Sequence, residues 1–401
     1  MAPGEKFPLM LPLEGITIIS IEQAVAAPFA TRQLADLGAR VVKIERPDVG
    51  DFARDYDETV QGMASHFVWL NRSKESLTLD LKHPEARQIV HQLLADADVF
   101  IQNLAPGATE RLGLGPEELT QRYPHLIVCG VSGYGSSGPY RDKKAYDLLV
   151  QCETGLVSVT GMPETPSKVG ISIADISAGM YAFTGILTAL YQRERTGQGT
   201  VLEVSLFEAL GEWMGYAAYF AAYGGTPPSR TGASHATIAP YGPFRAGDGK
   251  QVNLGLQNER EWARFSTMVL EQPEMATDPR FDSNARRVAN REALHGSIDA
   301  VFSQLTMEQV VARLDRAQIA NGRMNSMQEF WDHPQLKARE RWREVDSPVG
   351  LLKALLPPVT MRDVEPRMDP IPALGEQTEQ ILRSLGYRDE QICRLRAERV
   401  I

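Results

Sequence analysis

In the first half of the chain, short apolar runs alternate with segments whose apolar positions recur at helical spacing. ITIISI (16–21) reads as a strand, PFATRQLADLG (28–38) as a helix and ARVVKIE (39–45) as the next strand. ESLTLDL (75–81), PEARQIVHQLLADA (84–97) and DVFIQNL (98–104) repeat the pattern, as do PEELTQRYP (116–124) and LIVCGVS (126–132). TVLEVSLFEALGEWMGYAAYFAAYGG (200–225) reads as a strand passing into one long helix. Strands this apolar, separated by helices, predict an α/β domain: a parallel sheet with helices on both faces.

The pattern changes at GGTPPSRTGASHATIAPYG (224–242), whose Gly, Pro, Ser and Thr content marks a linker or a long functional loop. Beyond it, PFRAGDGKQVNLGL reads as a hairpin turning at Asp248-Gly249, followed by amphipathic helices around 258–270, 290–305 and 307–316. These predict a smaller α+β domain. The tail alternates turns with the strand-like VGLLKALLPPVTM and ends in TEQILRSLGY and DEQICRLRAERVI, two helices suited to returning to the first domain. The expected division is therefore 1–223 for the large domain, 224–325 for linker and small domain, and 326–401 for the return.

Composition sharpens this picture. A chain of 401 residues with 43% hydrophobic residues can bury a large core. Its net charge of -9, without a Lys/Arg block, excludes a nucleic-acid footprint but leaves local basic pockets open. Cys129, Cys152 and Cys393 are too scattered for a disulfide framework, and no CxxC or HExxH spacing suggests a metal. MAPGEKFPLMLPLEG lacks the pattern of a leader, and the apolar stretches 176–191 and 209–223 are interrupted by Gly, Arg or Glu. A cytoplasmic protein without a membrane span is the expectation.

Candidate chemistry concentrates in GISIADISAGMYAFTGILTALYQRERTGQG (170–199). There Asp175 stands among small residues where a strand-like run turns into a helix carrying Met180, Phe183, Leu187, Leu190 and Tyr191 on its apolar side. An acid at a helix start faces unpaired N–H groups, so spacing alone fits both an N-cap and a reactive carboxylate. Gly133, Gly135 and Gly138 in SGYGSSGPYRDKK match G-x-G-x-x-G after a strand, the dinucleotide fingerprint. Pro139 and the run Arg141 to Lys144 follow where a helix should open, and no acid ends a strand about 20 residues on. These glycines are expected to shape a ligand-side loop at a strand end.

Five ordered blocks separate the two readings of Asp175. IEQAVAAPFATRQLADLGARVVKIERP (21–47), WLNRSKESLTLDL (69–81), NLAPGATERLGLG (103–115), GVSGYGSSGPYRDKKAYD (130–147) and GISIADISAGMY (170–181) resemble class III CoA-transferases, the family of formyl-CoA and carnitine CoA-transferases. LGEQTEQILRSLGY (374–387) extends the resemblance almost to the end of the chain.

The resemblance implies a Rossmann-like large domain, a small domain and a homodimer of interlocked rings. It makes Asp175 the nucleophile and coenzyme A thioester the co-substrate, with no prosthetic group and no metal. Arg46, Lys74, Arg111, Lys144 and Tyr146 fall at positions that contact CoA in relatives, and Asp147 replaces an acidic residue next to the active site. Val25 stands where formyl-CoA transferase has glutamine, and that enzyme's glycine-rich active-site loop is missing, which argues against formyl-CoA and oxalate. The rival is an α-methylacyl-CoA racemase-like isomerase, whose acid/base pair needs His where this chain has Tyr146. The blocks look most like the branch moving CoA from succinyl-CoA to itaconate, mesaconate, citramalate or glutarate. His66, Arg72, Arg230 and His235 are the candidates for the acceptor's second carboxylate.

Overall fold

A computed structural model describes residues 10–225 and 227–401; the leader reading of residues 1–9, and Thr226 of the linker, lie outside the described residues. Contacts divide the chain into two units. The larger combines Met1–Thr154, Gly170–Met214 and Lys337–Ile401, and the smaller combines Gly155–Val169 with Gly215–Leu336. The 200–225 stretch forms two helices instead of one. They meet at Met214 and Gly215, where the chain passes from one unit to the other.

The larger unit is built on strands β1 (Thr17–Ile21), β2 (Arg40–Glu45), β3 (Lys74–Thr78), β4 (Val99–Gln102), β5 (Ile127–Ser132) and β6 (Val201–Ser205). They form one sheet in the order β3-β2-β1-β4-β5-β6, parallel throughout, so the chain reverses its direction of travel between β1 and β4. Its labelled helices are α1 (Ala26–Asp36), α2 (Ser65–Leu70), α3 (Pro84–Ala95), α4 (Asp147–Glu153), α5 (Ile173–Thr196) and α6 (Leu206–Trp213). The GISIAD stretch forms no strand; bends at Gly170 and Ile171 lead into α5.

Successive side chains of a strand point to opposite faces, and here the faces differ in kind. One carries Ile19, Ile21, Val42, Ile44, Leu77 and Phe100, buried with Ile89 and Val90 of α3 and with Ile381, Leu382, Ile392 and Leu395 of the C-terminal helices. The other carries Ser20, Lys43 and Ser76, which the strand register places in one row, together with Glu45 and Lys74. All five are buried.

Their charges are closed locally. Lys43 Nζ lies 2.7 Å from Asp51 and 3.6 Å from Glu22; Lys74 Nζ lies 2.7 Å from Glu22. Arg54 grips Glu45 through Nε at 2.9 Å and Nη2 at 2.8 Å, and the Ser76 hydroxyl donates to Glu45 at 2.6 Å.

Helix α1 packs against α5 at very close range. A Cβ on Gly179 would stand 2.6 Å from the Ala26 carbonyl oxygen, so only glycine lets the two helix starts approach this far. Among the described residues α5 is also the helix long and apolar enough to cross a membrane. Its residues Ala174, Ser177, Ala178, Gly179, Ala182 and Ile186 are buried.

The smaller unit includes α7 (Gly215–Gly224) and the antiparallel sheet β7 (Tyr241–Arg245), β8 (Gln251–Gly255) and β9 (Ala320–Gly322). Asp248-Gly249 makes the turn between β7 and β8, with Gly249 at φ +82°. Phe244, Val252, Leu254, Trp262, Phe265 and Phe302 form its core.

Replacing Gly179 with Ala is expected to cost about 1–3 kcal/mol, because the added methyl has nowhere to go. Gly185→Ala in the same helix meets only Leu202 at 3.6 Å and should be neutral or stabilising by up to about 1 kcal/mol. Urea unfolding of both variants tests the helix contact; equal effects would contradict it.

Candidate active site

The close approach of α1 and α5 brings Asp175 to a crowded corner. Ser172, which precedes α5, contributes no side-chain cap. Asp147 of α4 does so instead: its Oδ1 accepts from the Ala174 N–H at 2.7 Å and the Asp175 N–H at 3.3 Å, and its Oδ2 accepts from Gln151 Nε2 at 2.6 Å. The capping task that suits an Asp at a helix start is thus performed by Asp147. Asp175, third residue of the helix, accepts no hydrogen bond on its carboxylate among the described residues. Burial raises the Asp175 pKa to about 7, and the Asp147 charge adds to the rise. A partly buried carboxylate without hydrogen-bond donors, beside a second negative charge, is raised in energy when ionised.

Tyr56 faces the same corner. Although 49% exposed, it has a pKa raised to about 12 by partial burial, with the charges of Asp51 and Asp175 and the nearby Tyr146 contributing, so it remains a hydrogen-bond donor. Its ring meets His66 edge-on at 5.4 Å, and His66 Nδ1 is buried without a partner. The chain offered no signal for Tyr56, an aromatic residue in the acidic loop RDYDETV.

A cleft of about 210 Å³ opens at the carboxyl ends of β1 to β4, where open α/β sheets bind ligands. Ile21, Ile44, Leu79 and Leu104 line it, with Arg46 and Lys82 as its cations. Lys82 was overlooked in sequence because LDLKHPE reads as an ordinary strand-to-helix connection.

A model of CoA-transferase family III matches residues 13–378. The chain belongs to that family. It is 32% identical to the succinyl-CoA:glutarate CoA-transferase of Mus musculus, over 95% of this chain and 88% of that one. It is 36% identical to the acetyl-CoA:oxalate CoA-transferase of Acetobacter aceti, over 82% and 84%. The crystal structure of a CAIB/BAIF family protein from Brucella suis superposes with a TM-score of 0.81 at 33% identity, covering 93% of this chain and 99% of that one.

Set in this family III fold, the residues singled out in sequence separate into groups. Arg46, Arg111, Lys144 and Tyr146 are exposed, and Arg111 directly precedes Leu112 of the cleft. The glycine motif forms the expected loop: no helix follows Gly138, Ser136 donates to Glu203, and Lys143 sits 4.1 Å from the Tyr140 ring centre. Val25 is buried at the start of α1.

Two expectations need correction. Lys74 is buried, and its three ammonium donors are committed to Glu22, the Pro28 carbonyl and Asn71, leaving none for a phosphate. Arg72 is likewise buried, gripping Asp36 with two bonds of 2.7 Å, so it cannot reach for a substrate carboxylate.

In the smaller unit Arg230 donates to the carbonyls of Ser158, Met162 and Pro163. His235 stacks on Tyr241 at 5.3 Å, and its Nδ1 accepts from the Thr237 N–H.

The raised pKa carries a definite sign. Between the ordinary value of 3.8 and about 7 the folded protein holds a proton on Asp175 that the unfolded chain has released, so this group's contribution to stability falls as pH rises. Asp175→Asn should therefore gain stability over wild type progressively through that window, and Asp147→Asn should reduce the gain by removing the repelling charge. Urea midpoints measured across the window test this; a pH-independent difference between wild type and Asp175→Asn would refute it.

Proposed function

We propose that the protein moves CoA from an acyl-CoA donor, succinyl-CoA foremost, to a small dicarboxylic acid, with Asp175 as covalent nucleophile. The observation that carries this reading is the pairing of an uncommitted, half-buried Asp175 with Asp147, which relieves it of capping. The Asp175 carboxylate attacks the thioester carbonyl, giving a mixed anhydride and CoA thiolate. Thiolate attack on the aspartyl carbonyl then releases the donor acid and leaves an aspartyl-CoA thioester. The acceptor carboxylate attacks that thioester, forming a second anhydride and freeing the thiolate again. Attack on the acceptor's carbonyl yields the new acyl-CoA and regenerates Asp175. The cleft with Arg46 and Lys82 suits the phosphates of CoA, with Arg111 and Lys144 as further cations at exposed positions.

The relatives named for glutarate and for oxalate both take dicarboxylate acceptors, while their donors differ. With Arg72 and Arg230 committed elsewhere, His66 best suits the distal carboxylate: its unpartnered Nδ1 lies within the group formed with Tyr56. Itaconate, mesaconate, citramalate and glutarate are the acceptors of choice. An interlocked homodimer is part of the same reading. Helix α7 exposes Tyr216, Tyr219, Phe220 and Tyr223 and buries only Ala217, an apolar surface that calls for a second chain.

Asp175→Ala should lose transfer by several orders of magnitude while still binding CoA; activity within about tenfold of wild type would remove Asp175 from the role. Hydroxylamine or borohydride added during turnover should modify the peptide containing Asp175, as read by mass spectrometry, and an unmodified peptide would indicate direct transfer.

With succinyl-CoA as donor, glutarate or itaconate should exceed butyrate and carnitine in kcat/KM by about tenfold to a hundredfold, the worth of one charge-assisted hydrogen bond. Equal values would refute the dicarboxylate assignment and leave the transferase assignment standing.

A further inference from the structure

Ala24 adopts φ +60°, a left-handed conformation that a residue with a Cβ rarely takes without external support. It lies in the connection Gln23–Val25, which leads from β1 into α1. Both ends of the residue's surroundings are tied. Asn103, just beyond β4, receives the Gln23 N–H at 2.9 Å and donates to the Gln23 carbonyl at 2.8 Å. The Ala24 N–H itself donates to Asp51 Oδ1 at 3.0 Å.

Asp51 reaches further than this one bond. It is 1% exposed, and the same Oδ1 accepts the Ala53 N–H at 2.9 Å, capping the short turn Phe52–Asp55 that delivers Tyr56. Its Oδ2 takes Lys43 Nζ at 2.7 Å, and its own N–H donates to Glu45 at 3.0 Å. One carboxylate therefore joins two connections that are 27 residues apart in sequence. The first sets the start of α1, against which α5 packs through Gly179. The second sets Tyr56, whose phenol feels the Asp175 charge.

We propose that Asp51 is a positioning residue for transfer: its buried carboxylate holds Ala24 left-handed and the Phe52–Asp55 turn in place, and so fixes the start of α1 and Tyr56 beside Asp175. This inference rests on the transferase reading above. Asp51 makes no hydrogen bond to the reacting carboxylate, but with Gln23 it lines the cleft that holds Arg46 and Lys82, so coupling to Ala24, rather than KM for acyl-CoA, separates positioning from substrate binding.

The test is a double-mutant cycle with Ala24→Gly, because glycine takes the left-handed conformation without support. Asp51→Asn in the wild-type background should lower kcat by about tenfold or more, since small misplacements of reacting groups are costly. In the Ala24→Gly background the same substitution should lower kcat several-fold less. Loss of the Lys43 pairing alone would lower kcat and thermal stability equally in both backgrounds, and that outcome would overturn the proposal.

Hydrogen exchange supplies a readout independent of turnover: amides of the peptide 21–30 should exchange faster in Asp51→Asn, and unchanged exchange would overturn the proposal. Wild type lacking transferase activity with every donor, yet showing the exchange effect, would refute the functional reading and leave the clamp intact. Should Asp51→Asn not fold, Ala24→Val decides. A β-branched residue is strained at this φ, so kcat should fall, and an unchanged kcat would overturn the proposal.

Discussion

Lys43 and Lys74 extend their ammonium groups into a fully buried space, between the sheet and the elements above it. An isolated buried charge is prohibitively costly, so their existence dictates their neighbours. Burial alone would lower the Lys43 pKa, but Asp51, Glu22 and Glu45 outweigh it and the pKa is raised. For Lys74 burial dominates and lowers the pKa to about 8. Much of the larger unit answers to these pairings. Glu22 and Asp51 close the connections after β1 and β2, and Glu45 draws in Arg54 and Ser76. Ser76 in turn accepts the Gly375 N–H at 2.9 Å, fastening the returning C-terminal segment. Such networks contribute modestly to net stability, but they penalise every arrangement that leaves one member unpaired.

That rigidity lets two neighbouring carboxylates serve different purposes. Asp147 spends its oxygens on the amides of α5 and on Gln151, which stabilises its charge. Asp175 has the same chemistry and the same helix start, yet no donors, and burial together with the Asp147 charge makes its ionised form unfavourable. Environment, not residue type, divides the capping acid from the one whose ionised form is disfavoured. The small residues around Asp175 matter through this arrangement: Gly179 permits the helix contact that encloses the corner.

A protein of net charge -9 can still receive a polyanion, because recognition depends on the local field at the cleft. Arg46 and Lys82 are exposed at the carboxyl ends of these strands, with Asp80 beside them in the lining.

The strands and helices of the larger unit were legible because apolar periodicity reports burial directly, and the family was legible because its ordered blocks run through most of the chain. The hairpin at Asp248-Gly249 followed from turn chemistry that is local to its residues. What the chain alone could not reveal was the fate of its cations. Lys74 and Arg72 look like Arg46 and Arg111 in sequence, and a strand position that is buried on both faces looks like one at an exposed strand end. Ser20, Lys43 and Ser76 acquire meaning only when the parallel register sets them in a row. The partnership of Asp147 with the start of α5 spans 27 residues, and Asp51 with Ala24 spans another 27, so neither is visible as a motif. Local pattern determined which segments fold and which acid is chemically suggestive. Tertiary packing decided which charges are consumed in holding the fold and which one is left without partners, because desolvation and pairing are properties of a place and not of a residue.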